Sequence, residues 1–202
     1  DPMNAVRLFN EKGADELFLL DITATARGGI TDPAFVQCVA DECYMPFGVG
    51  GGIRSIDEMR RLIRAGAEKI SINSMALERP ELIAEAAKVF GRQSITVALD
   101  VKKDWFGRYR VCTHCGTRRT DLDPVVWARR AVELGAGEIL LTSIDRDGTG
   151  AGYDLDLVQS VAGAINVPVI ACGGAGSFED LERVIEEGGA SAAAAGSLFV
   201  FH

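Results

Sequence analysis

The sequence predicts an α/β protein of the (β/α)8 (TIM) barrel class, built from two repeated half-barrels. Short runs of β-branched residues alternate with amphipathic helical stretches along the whole chain, which is typical of parallel strands joined by crossover helices. The chain also repeats itself at an offset of 122 residues. GADELFLLDI (13–22) aligns with GAGEILLTSI (135–144), and VGGGIRSIDEMRRLI (49–63) aligns with ACGGAGSFEDLERVI (171–185). A duplicated half with four strands implies eight strands, which close into a barrel without sheet edges.

Seven strands and seven helices are predicted in alternation. The strands are expected at Glu16–Ile22, Phe47–Val49, Lys69–Ile72, Ser94–Leu99, Glu138–Thr142, Val167–Ala171 and Ala192–Ala195. The helices are expected near residues 3–12, 33–42, 55–65, 80–90, 124–134, 154–165 and 177–187. In the repeat frame, the counterpart of Ser94–Leu99 would precede residue 1 and the last helix would follow Phe201. We therefore expect residues 1–202 to form a single barrel domain that lacks its first strand and last helix, where such barrels typically have about 250 residues.

Helix boundaries have local signals. Ser55 followed by Glu58, and Ser177 followed by Asp180, have the spacing of a capping box, and Asp123 before Pro124 has the pattern of an N-cap followed by proline. Glycines lie where C-terminal caps are expected, at Gly13, Gly66, Gly91, Gly135 and Gly188.

Composition limits the classes of function. Hydrophobic residues make up 48% of the chain and charged residues 25%, as in ordinary soluble globular proteins. The net charge of -8 argues against a nucleic-acid surface or an anionic membrane partner, because both need clustered Lys and Arg. No stretch reaches the roughly 18 apolar residues that span a bilayer, and the start does not resemble a secretory signal. We expect a cytoplasmic protein.

Five cysteines suit reduced thiols better than a disulfide framework. The motif CTHC, from Cys112 through Thr113 and His114 to Cys115, is compatible with a zinc or redox site. A structural zinc usually needs a second pair of ligands, and none has a recognisable spacing. A plain hairpin is the favoured interpretation. No metal or cofactor is expected, since there is neither a ligand cluster nor a dinucleotide fingerprint.

Candidate site residues follow from the barrel prediction, because catalytic groups of such barrels lie at the C-terminal ends of strands and in the loops that follow. These positions are rich in Asp, Gly, Ser, Thr and Asn, which favours a functional site over a structural rim. They are Asp21, Gly50–Gly52, Asn73–Ser74, Asp100–Lys102, Thr142–Asp147, Gly173–Gly174 and Gly196–Ser197.

The glycine-rich loops occur in pairs related by the repeat. The loop of Gly51 and Gly52 corresponds to that of Gly173 and Gly174, and KISINSM (69–75) falls on AAAAGSL (192–198) after one inserted residue. Asn73 and Ser74 thereby align with Gly196 and Ser197. Glycine lets the backbone approach an anion closely, so each pair of loops predicts a phosphate site. The alternative is that these glycines only form tight turns. Two related sites indicate a ligand with phosphates at both ends.

Carboxylates lie between the two predicted phosphate sites. Asp100 and Asp147 are expected near the barrel axis, where low solvent access favours general acid/base work. Asp145 is equally compatible with capping its loop. Lys102 and Lys103 follow Asp100, so they would hold it ionised or bind the ligand. Gly148 to Gly152 suggest a mobile loop over the barrel mouth.

The segment KKDWFGRYRVCTHCGTRRT (102–120) is long for a loop of this fold. With Gly107 and Gly116 as turn residues, it predicts a hairpin that folds over the site and excludes water. Structural decoration is the alternative.

Motifs in order along the chain resemble the cyclase (synthase) subunit of imidazole glycerol phosphate synthase. They are LFLLDITA, FGVGGGIRS, KISINS, VALDVK, GAGEILLTSIDRDGTGAGYDLDLV and CGGAG. The resemblance implies a barrel that uses ammonia from a glutaminase partner. It would convert a bis-phosphorylated ribulosyl-formimino aminoimidazole carboxamide ribotide into imidazole glycerol phosphate and an aminoimidazole ribotide. The two phosphates agree with the two loop pairs.

The resemblance also implies roles for individual residues. Asp100 matches the acid/base aspartate of the fifth strand, while the partner aspartate of the first strand has no counterpart. The supporting polar residues match Thr142, Ser143 and Asp147, and the phosphate sites match Gly52, Asn73, Gly174 and Ser197. Glu16, Lys69 and Glu138 match a charged ring that guards an ammonia passage on the face where the glutaminase docks. A salt-bridge cluster that closes the barrel is the alternative for these three.

Some segments depart from the histidine-pathway pattern. Cys172 stands where a serine is usual, and the chain ends in AAGSLFVFH where AAS is usual. The segments DPMNAVRLFNEKGADELFLLD and DECYMPF are closer to a paralogous branch that amidates acetamido sugars for surface polysaccharides. That branch is the second hypothesis for the function. A barrel that binds phosphates and a partner without catalysis is the third.

Overall fold

The computed structural model describes residues 2–200, apart from the side chains of Thr25, Ala26 and Val200. Phe201 and His202, which end the segment AAGSLFVFH, lie outside this range. The chain divides into two compact units, residues 1–96 and 97–202. Each unit combines parallel strands with helices, so the predicted α/β class is confirmed. Whether the chain forms the single predicted domain stays a prediction.

The first unit contains three parallel strands. Its elements are α1 (Pro2–Lys12), β1 (Leu17–Leu20), α2 (Ala24–Arg27), α3 (Pro33–Glu42), β2 (Phe47–Gly50), α4 (Ile56–Arg64), β3 (Lys69–Ile72), α5 (Ser74–Glu78), α6 (Glu81–Phe90) and a 3-10 turn, Arg92–Ser94. Strand β2 lies between β1 and β3, with Leu17 opposite Phe47 and Gly48 opposite Lys69. All four residues of β2 are buried, as expected for a central parallel strand that is covered on both faces.

The second unit contains four further strands in the order β4, β7, β8, β9, with a hairpin attached to β4. Its elements are β4 (Ile95–Lys103, which begins just before the boundary), β5 (Tyr109–Thr113), β6 (Arg118–Arg119), α7 (Pro124–Leu134), β7 (Glu138–Ser143), α8 (Leu155–Ala162), β8 (Val169–Cys172), α9 (Phe178–Glu186), β9 (Ala192–Ala194) and α10 (Ser197–Val200). The pairs β7–β8 and β8–β9 are parallel. Strand β7 places Ile139, Leu140 and Leu141 in the core, each at most 2% exposed.

The internal repeat is present in the elements themselves. Shifting β2 (Phe47–Gly50) by 122 residues gives the bounds of β8 (Val169–Cys172), and the same shift takes α4 onto α9. Both of these helices begin with a capping box, made by Ser55 and Glu58 in α4 and by Ser177 and Asp180 in α9. Local sequence signals therefore set the helix starts, as predicted.

Most predicted boundaries are confirmed to within a few residues, and the differences have local causes. Strand β4 continues to Lys103 rather than ending at Leu99, because it runs on into the hairpin. Asp123 caps α7 as predicted, and Gly135 ends it in the left-handed conformation. The expected cap at Gly188 is wrong by one residue, since the positive φ (72°) belongs to Gly189. The short helices α2, α5 and α10 were not predicted.

No helix in the described part of the chain has the length and apolar character needed to cross a membrane.

Candidate active site

The second unit brings four of its polar side chains together at the C-terminal ends of adjacent strands. Thr142 at the end of β7 lies in register with Cys172 at the end of β8, and Asp100 lies on β4, the neighbour of β7. Burial raises the pKa of the Cys172 thiol, as do the carboxylates of Asp147 and Asp100, whereas the Thr142 hydroxyl and the Gly173 N–H lower it, and the result is a pKa of about 11. The thiol therefore interacts with Asp100, Thr142 and Asp147. We treat these four residues as the candidate active site.

Cys172 is the residue of this site that the sequence did not identify as functional. The signal that could have identified it is its place at the end of a strand, directly before Gly173. With a pKa of about 11, the thiol is protonated at neutral pH and is therefore a poor nucleophile. Cys172 therefore contributes a neutral, half-buried thiol that interacts with the carboxylates of Asp147 and Asp100.

We expect Cys172 to resist alkylation. At pH 7.5 iodoacetamide should modify it at least about 100-fold more slowly than a free cysteine peptide, because only the thiolate reacts, and the rate should rise as the pH approaches 11. Mass spectrometry of the labelled peptides measures this rate beside that of the exposed Cys38. In urea, Cys172 should react at the peptide rate. Modification of folded Cys172 as fast as Cys38 would contradict the assigned surroundings of the thiol.

The two candidate acid/base carboxylates differ in exposure. Asp100 is half-buried, at the point where β4 leaves the core, opposite the fully buried Cys112. Asp147 is exposed, so the expectation of low solvent access is wrong for this residue. The reason is that Asp147 lies four residues beyond the end of β7, in a turn where its N–H donates to the carbonyl of Ser143 at 3.0 Å.

The side chains of Ser143 and Thr142 lie on opposite faces of strand β7. Adjacent residues of a strand point to opposite faces, and Ser143 is only 4% exposed. Its carbonyl accepts hydrogen bonds from the N–H groups of Arg146 and Asp147, at 3.1 and 3.0 Å. Thr142 thus lies on the face of Cys172, whereas Ser143 acts on the turn of Asp147 through its backbone.

Of the two lysines that follow Asp100, Lys103 turns away from it and Lys102 shares its face. Lys103 does not hold Asp100 ionised as expected: its Nζ lies 3.8 Å from Asp154 Oδ2, because alternation along β4 turns it away from the face of Asp100. Asp145 accepts a hydrogen bond from the Lys103 N–H at 2.8 Å, which supports its loop-capping alternative. Lys102 is exposed, shares the face of Asp100 by alternation, and lies opposite Arg110.

The glycine pairs are required by close packing of the backbone. A Cβ on Gly52 would lie 1.8 Å from the carbonyl oxygen of Gly29, and a Cβ on Gly174 would lie 2.3 Å from that of Gly152. Gly51 and Gly173 are equally constrained, by the carbonyls of Asp21 and Ser143 at 2.5 and 2.6 Å. The tight-turn alternative is therefore sufficient to explain why these residues are glycines. A Cβ on Gly196 would have no described atom within 4 Å, so the described residues impose no such constraint there.

Backbone donors for an anion are nevertheless present in both loops. Within residues 2–200, no acceptor takes a hydrogen bond from the N–H of Gly52 or of Gly174. In each unit the other two residues of the predicted phosphate site follow the strand next to the one that ends in the glycine loop. Asn73 and Ser74 follow β3, in which Ser71 pairs with Gly50, and Gly196 and Ser197 follow β9, in which Ala194 pairs with Cys172.

The loop after β8 packs against Gly150 and Gly152, which the sequence suggested were part of a mobile loop. The N–H of Gly152 donates to the Gly174 carbonyl at 2.8 Å, and a Cβ on Gly176 would lie 2.2 Å from the Gly150 carbonyl. These glycines therefore fit one loop against another, so the expectation of a free loop at Gly148 to Gly152 is wrong for Gly150 and Gly152.

Asp21, which was expected at the site, is engaged within its own loop. It accepts hydrogen bonds from the N–H and hydroxyl of Thr23, at 2.9 and 2.7 Å, and from Arg27 Nη2 at 2.5 Å. Burial raises its pKa, but the hydrogen bonds of Thr23 and the charge of Arg27 outweigh that effect and leave the pKa lowered. Asp21 is thus an ionised turn-forming residue.

The residues of the predicted ammonia gate lie at strand starts. In the first unit, Lys69 Nζ lies 2.8 Å from Glu16 Oε1 in a half-buried salt bridge, which supports the salt-bridge alternative for these two residues. In the second unit, Glu138 begins β7 and is 7% exposed. A carboxylate with so little exposure to water needs polar partners.

The CTHC segment forms a hairpin, as favoured from the sequence. Cys112 is buried in β5, while His114 and Cys115 adopt positive φ angles of 52° and 54° in the turn before β6. Trp105 and Phe106, in the turn between β4 and β5, are 92% and 82% exposed. No group of three or more His, Cys, Asp or Glu side chains suited to a metal occurs in the described part of the chain.

Comparison with known proteins agrees with the motifs and the geometry. The family model described as "Histidine biosynthesis protein" matches residues 1–202. The chain is 47% identical, over 202 residues, to the "Imidazole glycerol phosphate synthase subunit HisF" of Alkaliphilus metalliredigens (strain QYMF), an alignment that covers 100% of this chain and 80% of that protein. The resemblance found in the sequence is thereby confirmed. With matches of this extent, the chain belongs to the histidine biosynthesis protein family and is a relative of its HisF members.

Proposed function

We propose that the protein is the cyclase subunit of an imidazole glycerol phosphate synthase. It uses ammonia to convert the bis-phosphorylated ribulosyl-formimino aminoimidazole carboxamide ribotide into imidazole glycerol phosphate and aminoimidazole carboxamide ribotide. The observation that carries this proposal is the 47% identity to a HisF subunit over the entire chain. The cluster of Asp100, Thr142, Asp147 and Cys172 supports it, because it provides acid/base groups at the ends of adjacent strands.

Asp100 is the general acid/base of the proposed reaction. Addition of ammonia to a carbonyl and departure of an amine both require protons to move between nitrogen and oxygen, which a carboxylate within reach performs. Asp100 is half-buried on a rigid strand, so its position is fixed by the sheet. Asp147 lies on an exposed turn beside Gly173, where it is suited to exchange protons with water. The neutral Cys172 thiol interacts with both carboxylates and with the Thr142 hydroxyl.

Two backbone loops take the two phosphates. Among the described residues the N–H groups of Gly52 and Gly174 donate to no acceptor, and they are donors of the kind that bind phosphate oxygens. Asn73 and Ser74 complete the first site, and Gly196 and Ser197 complete the second. Lys102, exposed on the face of Asp100, adds a positive charge near the substrate.

The fold that we propose for this function is a closed (β/α)8 barrel of a single domain. Its support is the internal repeat, in which β1, β2 and β3 correspond to β7, β8 and β9. The repeat counterpart of β4 would be the first strand of the barrel, and no strand within residues 2–200 has that place in the alignment. The hairpin of β5 and β6 is proposed as a cover that excludes water from the site.

The proposed source of ammonia is a glutaminase partner that docks on the face where strands begin. The relative's printed name identifies it as a subunit, which supports a multi-subunit enzyme. The Glu16–Lys69 salt bridge and Glu138 lie at strand starts, where they would line the entrance of an ammonia passage.

Complementation tests the proposed function against the sugar-amidating alternative. The natural gene, expressed in a histidine auxotroph that lacks its own cyclase subunit, should restore growth without histidine, and the gene with Asp100→Asn should not. The segments DPMNAVRLFNEKGADELFLLD and DECYMPF favour the alternative, and Cys172 and AAGSLFVFH depart from the histidine-pathway pattern. Failure of the wild-type gene to restore growth, with soluble protein present and no ammonia-dependent turnover of the ribotide in vitro, would refute the histidine-pathway function.

A further inference from the structure

The loop that carries Asp147 is anchored to the hairpin at its far end through Asp154. The Tyr109 hydroxyl on β5 donates a hydrogen bond to Asp154 Oδ1 at 2.7 Å. The same carboxylate caps α8 by accepting from the Leu157 N–H at 3.2 Å. Its side chain is 8% exposed, and Lys103 Nζ lies 3.8 Å from Oδ2. Asp154 therefore ties together a helix start, a strand of the hairpin and the end of the loop.

The near end of the loop is anchored to β4, the strand that pairs with β5. The N–H of Ile144 donates to the Val101 carbonyl of β4 at 2.9 Å, and Asp145 accepts from the Lys103 N–H at 2.8 Å. The segment 144–154 is thus held at both ends by β4 and β5. Between these anchors, Asp147 and the residues up to Ala151 are exposed.

Tyr109 is suited to a permanent anchor. Burial raises the pKa of its hydroxyl, and the hydrogen bond to Asp154 and the negative charge of Asp154 raise it further. The hydroxyl therefore keeps its proton and remains a donor throughout the physiological pH range. Lys103 Nζ also lies 4.8 Å from the centre of the Tyr109 ring, which fixes the ring from one side.

Space is available for the loop to move if this anchor is lost. A polar cavity of about 260 Å³ borders the anchor, lined by Lys103, Arg146, Gly152, Asp154, Asp180 and Arg183 among others. Loss of the anchor gives the loop polar space beside Asp154, while the Tyr153 hydroxyl, which donates to the Ala194 carbonyl at 2.9 Å, remains as a second link.

We propose that Tyr109 is a positioning residue of the cyclase reaction. Its hydroxyl holds segment 144–154, through Asp154, in the conformation that presents Asp147 beside Cys172 and Asp100. This inference rests on the proposed function, because it assigns Tyr109 a role through Asp147. The hairpin would then position the catalytic loop as well as cover the site.

The test compares Tyr109→Phe with the control Tyr44→Phe, whose side chain is 89% exposed on the first unit. Tyr109→Phe removes one hydroxyl and keeps the ring. Hydrogen exchange should show amide protection in residues 145–157 reduced by about 10-fold, the effect expected for loss of one hydrogen bond to a charged group. The ammonia-dependent kcat should fall by about 10-fold, with KM for the ribotide within about 2-fold. Tyr44→Phe should change neither.

Variants of Asp154 separate positioning from simple helix capping. Asp154→Asn keeps an acceptor for Tyr109 and a good N-cap, so kcat should stay within about 2-fold of wild type. Asp154→Ala should lower kcat at least as much as Tyr109→Phe, and adding Tyr109→Phe to Asp154→Ala should have no further effect, because both remove the same link.

The outcomes distinguish this inference from the proposed function. Unchanged exchange in Tyr109→Phe, or faster exchange with an unchanged kcat, would overturn the positioning role. A wild-type protein that forms no imidazole glycerol phosphate would refute the proposed function, and the positioning role with it, while the exchange measurement would still report whether Tyr109 anchors the loop.

Discussion

Asp100→Asn should lower the ammonia-dependent kcat by about 100-fold or more, the usual contribution of a general acid/base. The amide has nearly the shape of the carboxylate but neither takes nor gives a proton near neutral pH. Asp100 lies on the regular strand β4, opposite Cys112, so the exchange of one oxygen for nitrogen leaves the backbone unchanged. The effect should therefore fall on the chemical step, with KM changed by only a few fold.

The measurement uses ammonium salt as the nitrogen source, so that no glutaminase is needed. Asp121→Asn is the matched control, since Asp121 is exposed in the same unit, and it should keep the wild-type rate. Circular dichroism and thermal unfolding check that Asp100→Asn is folded. A folded Asp100→Asn protein with a rate within a few fold of wild type would remove Asp100 from the mechanism, and Asp147 would become the first candidate for the acid/base.

The parts of the fold that depend on local signals were predictable from the sequence. The bounds of α3 and α7 agree with the predicted ranges to the residue, and in both helices an aspartate cap followed by proline fixes the start. The repeat offset of 122 relates β2 to β8 and α4 to α9 without adjustment. The α/β class followed from these elements because alternating strands and helices form parallel sheets.

The parts that depend on contacts between distant residues were not predictable. Helices α2, α5 and α10 have four or five residues, too few to show a helical period. No local signal indicates that Lys103 turns to Asp154, or that Gly152 packs against Gly174, since these partners are separated by many residues. Asp147 was expected to be shielded because it follows a buried strand, but a four-residue turn carries it to the surface.

Gly52→Ala should lower the free energy of unfolding by about 3 kcal/mol or more, within the range of the most damaging single substitutions. Two effects act together. The φ of Gly52 is +67°, a conformation that costs an alanine roughly 1–2 kcal/mol. The new Cβ would also lie 1.8 Å from the Gly29 carbonyl oxygen, so one of two backbone segments must move. Urea unfolding monitored by circular dichroism measures the change.

Gly28→Ala is the matched control for the first of these effects. Gly28 has nearly the same φ, +70°, but no described atom lies within 4 Å of its added Cβ. Its loss of stability should therefore stay at roughly 1–2 kcal/mol, and the excess for Gly52→Ala measures the overlap with Gly29. Equal losses at the two positions would show that the overlap relaxes at little cost. Packing would then no longer explain why Gly52 is a glycine, and close approach of its free N–H to a phosphate would become the better explanation.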